Sequence, residues 1–129
     1  MSYRPHMALK VRSKALMDAH RHYPCTIRIA GLIPGFRCAS SETVVGVHPE
    51  RLGTGGVIGK GTSTKASDLY AMAGCFHCHN LISGVDPRIE WIMKNHQLIL
   101  LQRMNSALHE TLALHIDLGV VIVPDAELI

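Results

Sequence analysis

The clearest periodic signal lies in the last third of the chain. From Ile89 onward, apolar side chains recur mostly at three- and four-residue steps through Ile92, Met93, Leu100, Met104, Ala107, Leu108, Leu112 and Ile116. Steps of that size stack side chains on one face of an α-helix, so the pattern predicts one long helix over 87–118. Pro87 suits its first turn, Asp86 can cap it, and Gly119 stops it. A shorter amphipathic pattern follows Pro5. There Leu9, Ala15, Leu16 and Ala19 form the apolar stripe while Lys10, Arg12, Lys14 and Arg21 face outward, which predicts a helix over 6–22 ended by Pro24.

Between these helices the pattern changes. Residues 25–47 read as extended, with β-branched Thr26, Ile27 and Ile29, a turn at Pro34-Gly35, and Thr43-Val44-Val45 leading to His48. Gly53, Gly55, Gly56, Gly59 and Gly61 then fall within nine residues, ahead of Thr62-Ser63-Thr64. So many glycines hold neither a helix nor a packed strand, and the segment reads as a surface loop. A short strand is expected over Asp68–Ala73, a short helix over Cys75–Ser83 closed by Gly84, and a last strand over Val120–Val123. The order of elements describes an α+β fold, a single domain over 1–129 whose 25–84 core is flanked by the two helices.

Composition narrows the function classes. With 129 residues, 47% hydrophobic and 18% charged, the chain can fill one core but not two, and it is too apolar to remain unfolded. No fixed-period repeat is present. The net charge of +3 is a mild bias compatible with nucleic acid. The most apolar run, Leu98–Leu101, is far too short to span a bilayer, and Arg4, Lys10, Arg12 and Lys14 interrupt any N-terminal apolar leader. A cytoplasmic protein without a membrane segment is expected. Nine histidines in a chain of this length tilt the chemistry toward metal binding or proton transfer.

Cys75-x-x-Cys78 is the sharpest local motif, because a two-residue gap lets both thiolates meet one tetrahedral ion. Cys25 and Cys38, with twelve residues between them on the extended segment, can complete an all-thiolate structural zinc site; the alternative is that they are small buried hydrophobes. Without an export signal, four cysteines read as ligands or free thiols rather than disulfides. Two histidines stand out by position. His48 ends an apolar strand beside the glycine-rich loop, where it can act as a general base on water. His79 directly follows Cys78, so a zinc site would fix where its ring points and make it a ligand for a second, catalytic ion. His77 is open between zinc ligand, second-site ligand and bystander. His6, His20, His22, His96, His109 and His115 read as structural or solvated.

The string Pro24-Cys25-Thr26-Ile27-Arg28-Ile29, with Gly31, Cys38, Glu42-Thr43, Val45, His48, Asp68-Leu69 and Cys75-x-x-Cys78-His79, resembles the YbcO-like nucleases of lambdoid prophages. These are a branch of the His-Asn-His (ββα-metal) endonuclease superfamily, and the likeness runs from about residue 12 to 123. It implies a ββα-metal core, zinc-stabilised by Cys25, Cys38, Cys75 and Cys78. His48 becomes the general base, His79 a ligand of catalytic Mg2+ or Mn2+, and Asp68 takes the place of the middle Asn that orients the loop or the base. The chain departs from the pattern in three places. Val47 stands where an acidic or His ligand often precedes the base, Asn80-Leu81-Ile82-Ser83 replaces an acidic run, and the Cys25–Cys38 segment is long. Asp68, Asp86 or Asn80 can fill the remaining ion shell.

The activity expected is metal-assisted hydrolysis of DNA phosphodiester bonds, with Arg51, Lys60 and Lys65 of the basic loop contacting phosphates unless they are merely solvated. Two competitors come from other classes. One is a non-catalytic zinc-stabilised DNA-binding or recruiting module of phage recombination, with a phage or host recombination protein as a candidate partner. The other is a structural protein that forms a homodimer through the long helix.

Overall fold

In this computed structural model, which describes residues 11–49, 67–127 and 129, Ser13 decides where the first helix starts. Its backbone is extended (φ −146°, ψ 114°) and its hydroxyl accepts the Leu16 N–H at 3.1 Å, an N-cap for α1 (Lys14–Ala19). The helix is therefore much shorter than the 6–22 expected from periodicity, of which 6–10 lie outside the described residues. Residues 11–13 are instead engaged with 67–68: Asp68 N donates to Val11 O (2.8 Å), and Val11 N donates to Ser67 Oγ (3.0 Å). After α1 the chain tightens into a 3-10 turn over His20–His22. Leu16 and Ala19 are buried, as the stripe required, whereas Ala15 of the same stripe is exposed.

Two strands pair antiparallel, β1 (Val45–Val47) with β2 (Met72–Gly74), placing Val45 opposite Gly74 and Val47 opposite Met72. The sheet is smaller than the extended pattern of 25–47 suggested. The Pro34-Gly35 turn is present, with Gly35 at φ 75° and Phe36 N donating to Ile33 O. However, 3-10 turns occupy Ala30–Leu32 and Ser41–Thr43. Around the second, Ser40 Oγ accepts Glu42 N and Thr43 Oγ1 donates to Ser40 O (2.6 Å), local bonds that compete with a strand ladder. The same competition shortens the strand expected over Asp68–Ala73. Asp68–Tyr70 form a 3-10 turn capped by Ser67 Oγ, and only Met72–Gly74 pair.

The sheet is packed closely from both sides. A Cβ on Gly46 would lie 2.7 Å from Met17 Cε and 3.0 Å from His20 Nδ1, and one on Gly74 would lie 2.6 Å from Ile27 Cδ1 and 2.9 Å from Val47 Cγ2. A side chain at either position would have to push these neighbours aside. β2 runs into α2 (Phe76–Ser83), which closes at Gly84 in the left-handed conformation (φ 81°) as expected.

The long helix of the sequence is two helices, α3 (Ile89–Asn95) and α4 (Gln97–Leu118). His96 leaves the helical region (φ −140°, ψ 37°), yet its N–H still reaches Ile92 O and its carbonyl accepts Leu100 N. The bend lets Ile89 and Ile92 on one helix and Leu100, Met104 and Ala107 on the other all enter the core, while polar Lys94 to Gln97 turn the corner. Beyond Gly119 (φ 84°) no strand forms over 120–123. Val120 N and Val121 N fold back onto His115 O, so that backbone caps the helix instead of pairing with an edge.

The result is an α+β arrangement whose core gathers Ile27, Ile29, Met72, Leu81, Ile82, Ile92 and Leu100. None of the helices among the described residues is long and apolar enough to cross a membrane. One polar knot sits inside this core. Thr111 Oγ1 accepts Ala73 N (3.1 Å) and bonds Thr26 Oγ1 (3.1 Å), while Thr26 donates from both N and Oγ1 to Ala73 O.

Candidate functional site

The β2–α2 junction supplies two of the four cysteines of a candidate metal centre. Cys75 leaves β2 as the N-cap of α2, and its sulfur accepts the Cys78 N–H, so the Cys-x-x-Cys spacing doubles as a helix start. Thr43 Oγ1 accepts the Phe76 N–H (3.0 Å), satisfying another free donor of that first turn. Cys25 arrives from the segment beside β2 and Cys38 from just beyond the Pro34-Gly35 turn. All four sulfurs lie within 4.8 Å of one another. Cys38 Sγ is 3.9 Å from Cys25 Sγ and 3.7 Å from Cys78 Sγ. Four thiolates each about 2.3 Å from a tetrahedral zinc would stand about 3.8 Å apart, so these donors fit one such ion. The cluster can hold a metal ion such as zinc.

Its electrostatics agree. Hydrogen bonds from Cys25, Cys78 and the backbone, including Ala39 N–H at 3.3 Å, draw the Cys75 thiol well below its ordinary range. Burial, with the charge of Cys25 and Cys75 nearby, pushes Cys38 up to about 12. Hydrogen bonds to Cys25 and Cys75, followed by burial, push Cys78 up as well. A dication at the centre of the four sulfurs is what would allow all of them to ionise together.

His77 resolves to a support. Its Nδ1 donates to Arg37 O (2.8 Å) and its ring stacks on Phe36 with centroids 4.4 Å apart. The Arg88 guanidinium lies 4.1 Å over the same Phe36 ring while pairing with Asp86 at 2.8 Å. That stack braces the turn delivering Cys38. It also occupies Asp86, whose carboxyl Arg88 holds below the usual carboxylate range.

His48 follows β1, and its Nε2 lies 3.0 Å from Asp68 Oδ1. The other oxygen, Oδ2, accepts the Ser13 N–H at 2.7 Å. Both side chains are mostly buried, 18% and 14% exposed. An ionised carboxylate only accepts, so in the neutral ring the proton facing it sits on Nε2 and the lone pair on Nδ1. The sequence singled out both residues separately. Their contact, and the part of Ser13 in it, depends on residues 11–13 meeting 67–68, which no local pattern reveals.

His79 is half-buried on α2, its N–H donated to Cys75 O. Among the described residues the four cysteines are the one group of three or more ligand atoms close enough to share an ion, and His79 is not part of it. Arg51, Lys60 and Lys65 lie outside the described residues. Two of the histidines read as structural or solvated prove structural. His20 and His115 are fully buried and touch edge to face with Tyr23 (centroids 4.8–5.9 Å). The clue for His115 was its phase, since it continues the buried row Leu100, Met104, Ala107, Thr111.

No family model, curated protein or solved structure matches this chain.

Proposed function

We propose that this chain is a metal-dependent endonuclease of the His-Asn-His (ββα-metal) type, YbcO-like, hydrolysing DNA phosphodiester bonds in the cytoplasm of a bacterium that carries its phage or prophage. The observation that carries the proposal is the His48–Asp68 pair, a buried carboxylate anchored by Ser13 N–H and holding one ring nitrogen of a histidine at a strand end. The antiparallel β1 and β2 running into α2, with a four-cysteine cluster at the junction, is the element order that the resemblance implies.

This pair can perform one proton transfer. His48 Nδ1 takes a proton from water as the water oxygen bonds to phosphorus and the bond to the leaving sugar oxygen breaks. Asp68 stabilises the resulting imidazolium through Nε2–H and keeps the tautomer fixed. Mg2+ or Mn2+, with His79 as the proposed ligand, would supply charge stabilisation at the phosphoryl and leaving oxygens when bound. Arg51, Lys60 and Lys65 are the proposed phosphate contacts.

The test is nicking of supercoiled plasmid with Mg2+ or Mn2+, wild type against His48→Ala at matched zinc content. Cleavage by the wild type alone supports the proposal; equal cleavage by both refutes the role of His48. A second reading, a zinc-stabilised module that binds DNA or a recombination protein without cutting, is favoured by the lack of a second ligand cluster among the described residues. DNA binding that falls steeply with salt, without cleavage on any substrate, would select it.

A further inference from the structure

α4 carries an exposed stripe that its own core does not use. Leu98 is 69% exposed, Leu101 42% and Leu112 44%, and Asn105 between them is exposed too. Leu98, Asn105 and Leu112 are spaced by seven residues, with Leu101 and the half-buried Leu108 three residues after the first two. That is the spacing of a seam between two paired helices. The face is also nearly uncharged: over 97–109 the one Lys, Arg, Asp or Glu is Arg103, and its guanidinium is turned inward onto the Thr26 and Ile27 carbonyls. Surface helices ordinarily cover such positions with Lys and Glu.

The pattern also selects what covers it. Nucleic acid would require cations that the stripe lacks. A wholly leucine stripe would accept any apolar surface, but Asn105 sits at the midpoint between Leu98 and Leu112 and must find an amide or equivalent partner once desolvated. A two-fold axis through Asn105 supplies one, because each amide then offers its donor and acceptor to its own copy while leucine meets leucine on both sides. Such self-complementarity is what an isologous interface requires, and a lone Asn in an apolar seam is a known device for fixing register and pairing. We infer that α4 pairs with α4 of a second copy of this chain across a two-fold axis, Asn105 against Asn105. This rests on the surface of α4 alone and stands or falls separately from the nuclease proposal.

Sedimentation equilibrium of the full zinc-loaded chain gives the test, alongside Leu98→Lys/Leu112→Lys and Asn105→Lys variants. The wild type should sediment as a dimer, and each variant should weaken dimerisation by at least about tenfold, equivalent to about 1.4 kcal/mol, with helix content unchanged. A wild type that is monomeric at about 100 μM, well above the micromolar range of weak specific interfaces, overturns the inference. So does a dimer that neither variant weakens, which would place the contact elsewhere. If the double-lysine variant loses its helical signal, Asn105→Lys decides the matter, since it alters an already exposed polar position.

Discussion

Tyr23 Oη lies 2.7 Å from His115 Nδ1 and joins the 3-10 turn region after α1 to the far end of α4, ninety-two residues away in sequence. The other ring nitrogen, His115 Nε2, is buried without a partner among the described residues. His20 closes the cluster, its Nδ1 facing Met17 O (3.2 Å) and its Nε2 facing Ala71 O (3.3 Å).

Burial, with the nearby His20 acting in the same direction, pushes His115 down to about 4. Burial and the charge of Asp117 raise Tyr23, which keeps the phenol protonated and able to donate. A histidine depressed in the fold binds its proton more readily when unfolded. The stability it contributes is therefore complete above about pH 6.5 and is lost as pH falls from there through about 4. The amount at stake is about 3 kcal/mol. Urea midpoints at pH 7.5 and 4.5 should show that loss, and His115→Leu should shrink it; an unchanged slope in the variant would remove His115 as the cause.

Stripping the metal should unfold the protein or leave it molten. Structural zinc sites bind with on the order of 10 kcal/mol, comparable to the whole stability of a domain. Elemental analysis should find one zinc per chain, and Cys75→Ser or a strong chelator should abolish both the zinc and the cooperative melt. An identical melt in metal-free protein would count against a structural role.

For cleavage, His48→Ala should lower the nicking rate by roughly 10² to 10⁴, the usual range for loss of a positioned general base. Asp68→Asn keeps the ring in place but can offer it the wrong hydrogen bond, so the rate should fall by roughly 10² with little change in KM. A variant with a wild-type rate would mean that Asp68 only tethers residues 11–13.

Gly74→Ala should cost about 1–3 kcal/mol, because the added methyl must displace the stiff Val47 side chain as well as Ile27. Gly46→Ala meets the flexible end of Met17 first but also the His20 ring, which is held on both nitrogens. Denaturant midpoints of the two variants measure both; a neutral Gly74→Ala would show that the sheet can spread.

What the sequence disclosed follows how far each signal reaches along the chain. Cys75-x-x-Cys78 with Gly84, the Pro34-Gly35 turn and the Gly119 stop are encoded within a few residues, and all appear in place. The break at His96 was hidden because apolar residues resume in phase on its far side, so periodicity reads straight through a bend. Strand lengths were overestimated where Ser40, Thr43 and Ser67 hydroxyls captured nearby backbone. The His48–Asp68 contact and the Tyr23–His115 bond join segments far apart in sequence, and no local pattern carries that information.

The Thr26–Thr111–Ala73 knot has a mechanical consequence. A helix lying on a strand through methyl groups alone can shift by one turn, about 5.4 Å, and still find greasy surface beneath it. Thr111 opposes that shift, since moving it would leave the buried Ala73 N–H without its acceptor and take the Thr111 hydroxyl from Thr26 Oγ1. α4 is thereby latched at a single setting against β2, the strand that leads into Cys75.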